Sequence, residues 1–331
     1  MLLRCCHSAD FAPISSTCRH CMITGDDHRG CAVPSPFQPG RGLCPPRRRC
    51  CCVQEPINMD TPGRAWLWRS WRTMTPALTR WAVPSVHGPA LALARRDGPV
   101  LATPTLRVHA LMLGVSNAYL LESAHGVVLV DAGLPLCEEI ILARLARLGR
   151  RDLRLIVITH AHVDHYGSAA AVRRATGAAI AVHRADAADM AAGRTRLGSI
   201  RAWGWAQPTL PLVEPLLRVE PTGADLLLDE GALPDALGLD ARIVHLPGHT
   251  PGSCALLVEE QYAFTGDLIS TNGTAHVQRS YAQDWRQVAA SVEKLRGCRP
   301  VQSFPGHGPT SLTGAMLAEL ALDGPAGHAA R

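Results

Sequence analysis

The chain has 331 residues, 47% of them hydrophobic and 18% charged, with a formal net charge of +5. That length and apolar content suit one large or two ordinary globular domains with a sizeable core. No uninterrupted apolar run reaches the ~18 residues a spanning helix needs, so no membrane span is expected.

Charge and cysteine are unevenly spread. Residues 1–60 carry seven arginines against five acids, residues 61–110 seven against one, and the remainder is −3. The basic character belongs to the leader, which argues against a nucleic-acid groove in the body. Nine of the twelve cysteines lie in the first 52 residues, leaving only Cys137, Cys254 and Cys298 beyond. Three scattered thiols suit a reducing compartment, so the expected location is cytoplasmic.

Residues 1–100 read as a Cys-, Arg- and Pro-rich N-terminal extension, disordered, loosely packed or not natively translated, with Met59 or Met74 as alternative starts. It lacks the apolar run and small-residue cleavage site of a signal peptide. Cys18 and Cys21 form one Cys-x-x-Cys near His7, His20 and His28, without the second pair that would mark a zinc site. Trp66, Trp68, Trp71 and Trp81 stand among arginines, in a basic surface segment or a loosely attached one.

Residues 101–331 read as one folded domain. The pattern predicts strands at 105–109, 117–122 and 127–130, the last two a hairpin around residues 124–126. Residues 137–149 predict an amphipathic helix with Ile140, Ile141, Leu145 and Leu148 on its apolar stripe and Gly149 as its stop. A strand at 155–158, a helix at 168–176 and a strand at 178–182 follow, then helical and Pro-broken segments over 184–220. Trp203 and Trp205 in that stretch either wall a pocket or pack a helix. Further strands are predicted at 226–228, 241–245, 254–258, 262–265 and 301–304, with a helix at 284–296. Strand-rich halves separated by helices imply two sheets face to face with helices outside.

The densest chemistry is ThrHisAlaHisValAspHis, residues 159–165, between the strand 155–158 and the helix 168–176. Four further segments place site-like residues at strand ends: Asp131 after 127–130, His249 in a Gly/Pro-rich turn at 246–253, Asp267 just past 262–265, and His307 just past 301–304. Glycine beside the last three lets the backbone bend sharply and approach an ion. Imidazole and carboxylate together suit zinc, and also iron or manganese. His109, His125, His183 and His245 read as structural. His276, Arg279 and Tyr281, beyond Asp267, are candidates to line a substrate mouth.

These ordered motifs, ValAspAlaGly, HisAlaHisValAspHis, GlyHisThrProGlySer, ThrGlyAsp and GlyHisGly, resemble the metallo-β-lactamase-fold hydrolase superfamily over roughly residues 105–310. The resemblance implies an α/β fold, a four-layer αββα sandwich with a two-metal site at one edge of its sheets. It implies His160, His162 and His249 as ligands of one metal, Asp164, His165 and His307 as ligands of a second, and Asp267 bridging both. Asp131 would orient a ligand histidine. The activity implied is a dinuclear, most simply zinc, hydrolase that attacks an ester, thioester or lactone of a small molecule with a metal-bridging hydroxide, Asp164 also passing the proton. The general hydrolase, thioesterase and lactonase branches fit better than the β-lactamases, which usually lack the bridging carboxylate. The alternatives are a mononuclear iron persulfide dioxygenase of the same fold and a non-catalytic metal-binding module. Oligomeric state is left open.

Overall fold

The computed structural model of the chain describes residues 98–201, 204–234 and 238–322. The readings made for residues 1–97 and for Trp203 lie outside the described residues. In chain order the described strands begin with β1 (Leu101–Ala102), β2 (Arg107–Met112), β3 (Asn117–Ser123), β4 (Gly126–Val130), β5 (Leu153–Ile158), β6 (Ala179–His183), β7 (Ser199–Ile200) and β8 (Leu226–Leu228). They continue with β9 (Gly231–Ala232), β10 (Ala241–His245), β11 (Cys254–Val258), β12 (Tyr262–Ser270), β13 (His276–Val277), β14 (Tyr281–Ala282), β15 (Gln302–His307) and β16 (Leu312–Thr313). The helices are α1 (Glu138–Arg147), α2 (Val163–Tyr166), α3 (Ala169–Thr176), α4 (Arg184–Ala191), α5 (Leu210–Val213), α6 (Trp285–Gly297) and α7 (Gly314–Glu319).

One sheet runs β1-β2-β3-β4-β5-β6-β8, the other β16-β15-β12-β11-β10-β9 with β13 added to β12. The central strands are buried almost throughout, and alternate residues face opposite apolar layers. Val127, Leu129, Ile156 and Ile158 face the cluster holding Ile141 and Leu145 of α1 and Val172 of α3. Val128, Val130, Leu155 and Val157 face the other way, toward Ile243, Leu256, Phe264 and Phe304 of the second sheet. Ala255, Leu257 and Ala263 then meet Val288, Val292 and Leu295 of α6 and Leu317 of α7. Three apolar interlayers between helix, sheet, sheet and helix are the αββα sandwich the motifs implied.

Most predicted elements stand within two or three residues of their expected limits. β2 starts two residues later than expected because Thr103 Oγ1 accepts from Leu106 N at 3.0 Å, holding Thr103–Leu106 in a turn. β12 runs on to Ser270 instead of stopping at 265, so Asp267 lies inside a strand and not just past one. Gly266, at φ 50°, absorbs the break in register against β15. Likewise His307 is the last residue of β15. The one-turn α2 has no periodic apolar signal, since ligand-type residues fill it.

His183, read as structural, closes β6 and caps α4: its Nδ1 accepts from Ala185 N at 3.3 Å, and its ring stacks on His245 at 4.0 Å. Burial and the neighbouring His245 push its pKa down to about 4. A proton would cancel the cap and put a cation at a helix N-terminus. In the unfolded chain the same imidazole takes up its proton near pH 6.5. Its contribution to stability is therefore full above about pH 6.5 and is lost as the pH falls from there toward about 4. His183→Asn keeps a capping acceptor and removes the titration. Urea midpoints at about pH 7.5 and pH 5 should show the native chain losing about 2 kcal/mol more than this variant; equal losses would contradict the assignment.

Candidate metal centre

The site forms where the ends of strands from both sheets come together. β5 stops at Ile158, and the chain doubles back so that His162 N donates to His160 O at 3.0 Å. α2 follows at once and buries His165 completely. His249 lies in the loop from β10 to β11, where Gly248 takes φ 134° and any Cβ would strike Val288 N. Asp267 enters from β12 and His307 from β15. A Cβ on Gly306 would stand 2.6 Å from Asp267 Oδ1 and 2.8 Å from His165 Cε1, so only glycine lets these strands close on the site.

The seven residues expected as ligands converge in two groups, His160, His162, His249 and Asp267 in one and Asp164, His165 and His307 in the other. In the first, His162 Nδ1 lies 3.1 Å from His160 Nε2 and 3.0 Å from His249 Nε2. Asp267 Oδ2 is 3.4 Å from His249 Nε2 and 3.9 Å from His160 Nε2. In the second, His307 Nε2 is 3.4 Å from Asp164 Oδ2, and His165 Nε2 is 3.8 Å from the same oxygen. Asp267 touches this group too, its Oδ1 3.1 Å from His165 Nε2 and its Oδ2 3.1 Å from His307 Nε2.

Each imidazole is held by the nitrogen that faces away from the cluster. His162 Nε2 donates to Arg196 O at 2.8 Å and His307 Nδ1 to Val115 O at 2.6 Å, whereas His249 Nδ1 lies between Tyr281 O at 3.2 Å and the Gln278 amide nitrogen at 3.1 Å. A carbonyl only accepts, so in His162 and His307 the proton sits on that nitrogen and the lone pair faces the cluster. His165 Nδ1 donates to Asp131 Oδ2 at 2.8 Å. His160 Nδ1 meets Thr159 Oγ1 at 3.1 Å, and that hydroxyl donates onward to Asp131 Oδ2 at 2.8 Å. Asp131 also accepts from Thr159 N at 2.8 Å.

Two bare nitrogens 3 Å apart repel unless a cation lies between them, and these atoms are buried. His165 Nε2 and Asp267 Oδ1 are fully enclosed and, although close, are not aligned to hydrogen-bond. Orphaned polar atoms, inward lone pairs and an N/O donor set are what a divalent ion fits. Electrostatics divides the work. Burial, then the neighbouring histidines, hold His160 and His162 well below the ordinary imidazole pKa, so they stay neutral. At the other group, burial opposes the charge on His165, but Asp267, Asp131 and Asp164 together raise it well above its usual value. His307 is pushed up to about 9, its burial outweighed by Asp267. The carboxylates there draw positive charge, which a metal ion supplies in place of protons.

Of the three mouth candidates, Tyr281 stands against the cluster, its ring 5.1 Å from that of His249 and 5.7 Å from that of His162. Burial, then Asp267 and Asp164, raise its hydroxyl pKa well above the ordinary value, so it remains a donor. His276 is turned to Thr274 O at 2.7 Å, and Arg279 is exposed. Tyr281 is held there because β14 pairs with β7 of the 184–217 stretch. Trp285 Nε1 donates to Ser199 Oγ at 2.7 Å beneath that pairing. Trp205 is 82% exposed, so it packs no helix. Sequence reasoning does not single out Thr159, Asp186 or the carbonyls of Val115, Arg196 and Tyr281. Thr159 stands inside the motif, where its position beside His160 is a usable signal, whereas a carbonyl is common to every residue and carries none.

Among curated proteins, the chain is 28% identical over 224 residues to the β-lactamase-like protein 2 homolog of Drosophila melanogaster, covering 66% of each. It is 33% identical over 216 residues to a hydroxyacylglutathione hydrolase of Anaeromyxobacter dehalogenans, covering 64% of this chain and 68% of that protein. It is 25% identical over 195 residues to an atrochrysone carboxyl ACP thioesterase of Aspergillus fumigatus, covering 58% of this chain and 50% of that protein. The chain thus spans between half and about two thirds of the length of these relatives. Among solved structures, a metallo-β-lactamase family protein from Thermus thermophilus shares the fold at TM-score 0.50 and 24% identity, covering 66% of this chain and 78% of that one. The sequence profile of the metallo-β-lactamase superfamily matches residues 111–307, the span that holds Asp131 and all seven clustered side chains, and the chain belongs to that superfamily.

Proposed function

We propose that this protein is a dinuclear metal-dependent hydrolase of small-molecule esters, thioesters or lactones. The carrying observation is the pair of side-chain groups that share Asp267, with the protons of His162 and His307 turned outward. In this reading His160, His162, His249 and Asp267 hold one divalent ion, and Asp164, His165, His307 and Asp267 hold the second. Zinc suits the donors best, with iron or manganese accommodated by the same set. When bound, two such ions supply Lewis acidity that brings a water's pKa to about 7 and steadies negative charge on the substrate.

The chain's own residues do the rest. Asp164, 14% exposed, is the more open of the two clustered carboxylates and faces His307; it orients the attacking water and carries its proton to the leaving group. Tyr281, kept protonated, donates to the substrate oxygen on which charge develops. Asp131 and Thr159 fix His165 and His160 and so keep the pocket from relaxing. Two of the relatives are named as a hydroxyacylglutathione hydrolase and an ACP thioesterase, which favours a thioester among the three substrate classes.

Elemental analysis of protein purified without added metal should find two ions per chain, with turnover of a thioester panel lost to chelator and restored by zinc. One iron per chain with oxygen uptake on glutathione persulfide would overturn the reading. Asp267→Ala should strip both ions, whereas His307→Ala should empty mainly the second; unchanged metal content in Asp267→Ala would remove the bridge. Tyr281→Phe should keep two ions and lower kcat by about 3–10-fold, the worth of one hydrogen bond. An unaltered kcat would take Tyr281 out of the reaction.

A further inference from the structure

Asp186 is a buried carboxylate, 2% exposed, in the first turn of α4. Its hydrogen bonds go to both histidine loops. Oδ2 accepts from Ala161 N at 2.8 Å and from Thr250 Oγ1 at 2.7 Å. Oδ1 accepts from Gly252 N at 2.6 Å. Ala161 separates His160 from His162, and Thr250 follows His249. One carboxylate therefore gathers donors from the loop after β5, in one sheet, and from the loop after β10, in the other.

The surroundings are built for this contact. A Cβ on Gly252 would lie 2.5 Å from Asp186 Cγ, so the glycine of that turn is there to let the carboxylate in. Thr250 N donates to Ser253 Oγ at 3.0 Å, and the Thr250 and Ser253 hydroxyls meet at 2.8 Å, which fixes the Thr250 side chain toward Asp186. A backbone bond from Cys254 N to Thr159 O at 3.0 Å joins the same loops at their bases. Only a carboxylate suits the position: three donors converge on it, and a carboxamide would turn its own N–H bonds toward one of them.

His160 Nε2, His162 Nδ1 and His249 Nε2 follow one another about 3 Å apart, a spacing that depends on how closely their two loops are held. We propose that Asp186 is a positioning residue that sets the spacing of His160, His162 and His249 by clamping their two loops together, a role that rests on the dinuclear reading above. It makes none of its three hydrogen bonds to the Asp164, His165 and His307 group. Its loss should therefore fall on one ion and spare the other.

The test is zinc affinity, by competition with a chromophoric chelator, in two single-site backgrounds. His307→Ala leaves the His160, His162 and His249 group; His249→Ala leaves the Asp164, His165 and His307 group. Adding Asp186→Asn should weaken zinc by about 10–100-fold in the first background and by less than about threefold in the second. Equal weakening in both, or none in the first, would overturn the clamp, since a merely structural loss makes no distinction between the groups. If Asp186→Asn does not fold, Thr250→Val decides: it removes one of the three donors and should give about 3–10-fold weakening with the same selectivity. Its failure to do so would likewise overturn the clamp. If neither background binds zinc before Asp186 is touched, the dinuclear reading itself has failed, and the two failures are told apart.

Discussion

Unprotonated imidazole nitrogens and carboxylate oxygens packed near 3 Å, with water excluded, repel one another unless positive charge sits among them. Two like charges 4 Å apart cost about 4 kcal/mol at an effective dielectric of about 20, and here several partial ones meet. The apolar interlayers supply the stability that holds this arrangement together. Phe264, stacked on Phe304 at 4.9 Å and edge-on to Tyr119 at 5.2 Å, belongs to the inter-sheet layer beneath the site. Tyr119 carries that layer up to the rim, its hydroxyl donating to Pro305 O at 2.6 Å, two residues before His307.

The backbone bears its share of the cost. Asp131 itself takes φ 58°, a conformation seldom adopted by a residue with a side chain. Its three hydrogen bonds to Thr159 and its bond to His165 over-determine that geometry. Gly266 breaks the register of β12 just before Asp267, which points the carboxylate between both groups.

The two groups differ in character. The first is mostly neutral imidazole, held neutral by burial; the second is rich in carboxylate and draws charge. Asp267 belongs to both, and His307 and His165 hold its carboxyl well below the usual range despite burial. On one side Arg196 O meets His162 of the cluster, and Tyr281 pairs with Ile200. Among the described residues no helix is long and apolar enough to cross a membrane, in keeping with the hydropathy of the chain.

The sequence by itself determined which residues meet and what kind of fold brings them together. Four of the candidate ligands lie within six positions, and His249, Asp267 and His307 each stand beside a glycine, so side-chain type and spacing singled them out, while their grouping and the αββα fold followed from the resemblance of the ordered motifs to a known superfamily. It also carried the near-continuous apolar runs of β4, β5 and β11 that mark strands buried on both faces. Only the tertiary structure decided how the ligands are aimed. The outward partners of His162 and His307 are main-chain carbonyls, and Asp186 stands in a stretch where HisArgAlaAsp reads as an ordinary helix start. Two-residue strands such as β7 and β14 are too short to show a period, yet they seat Tyr281. Chemistry-bearing side chains are written in the local sequence, whereas the contacts that orient them join residues tens of positions apart and exist only once both sheets have closed.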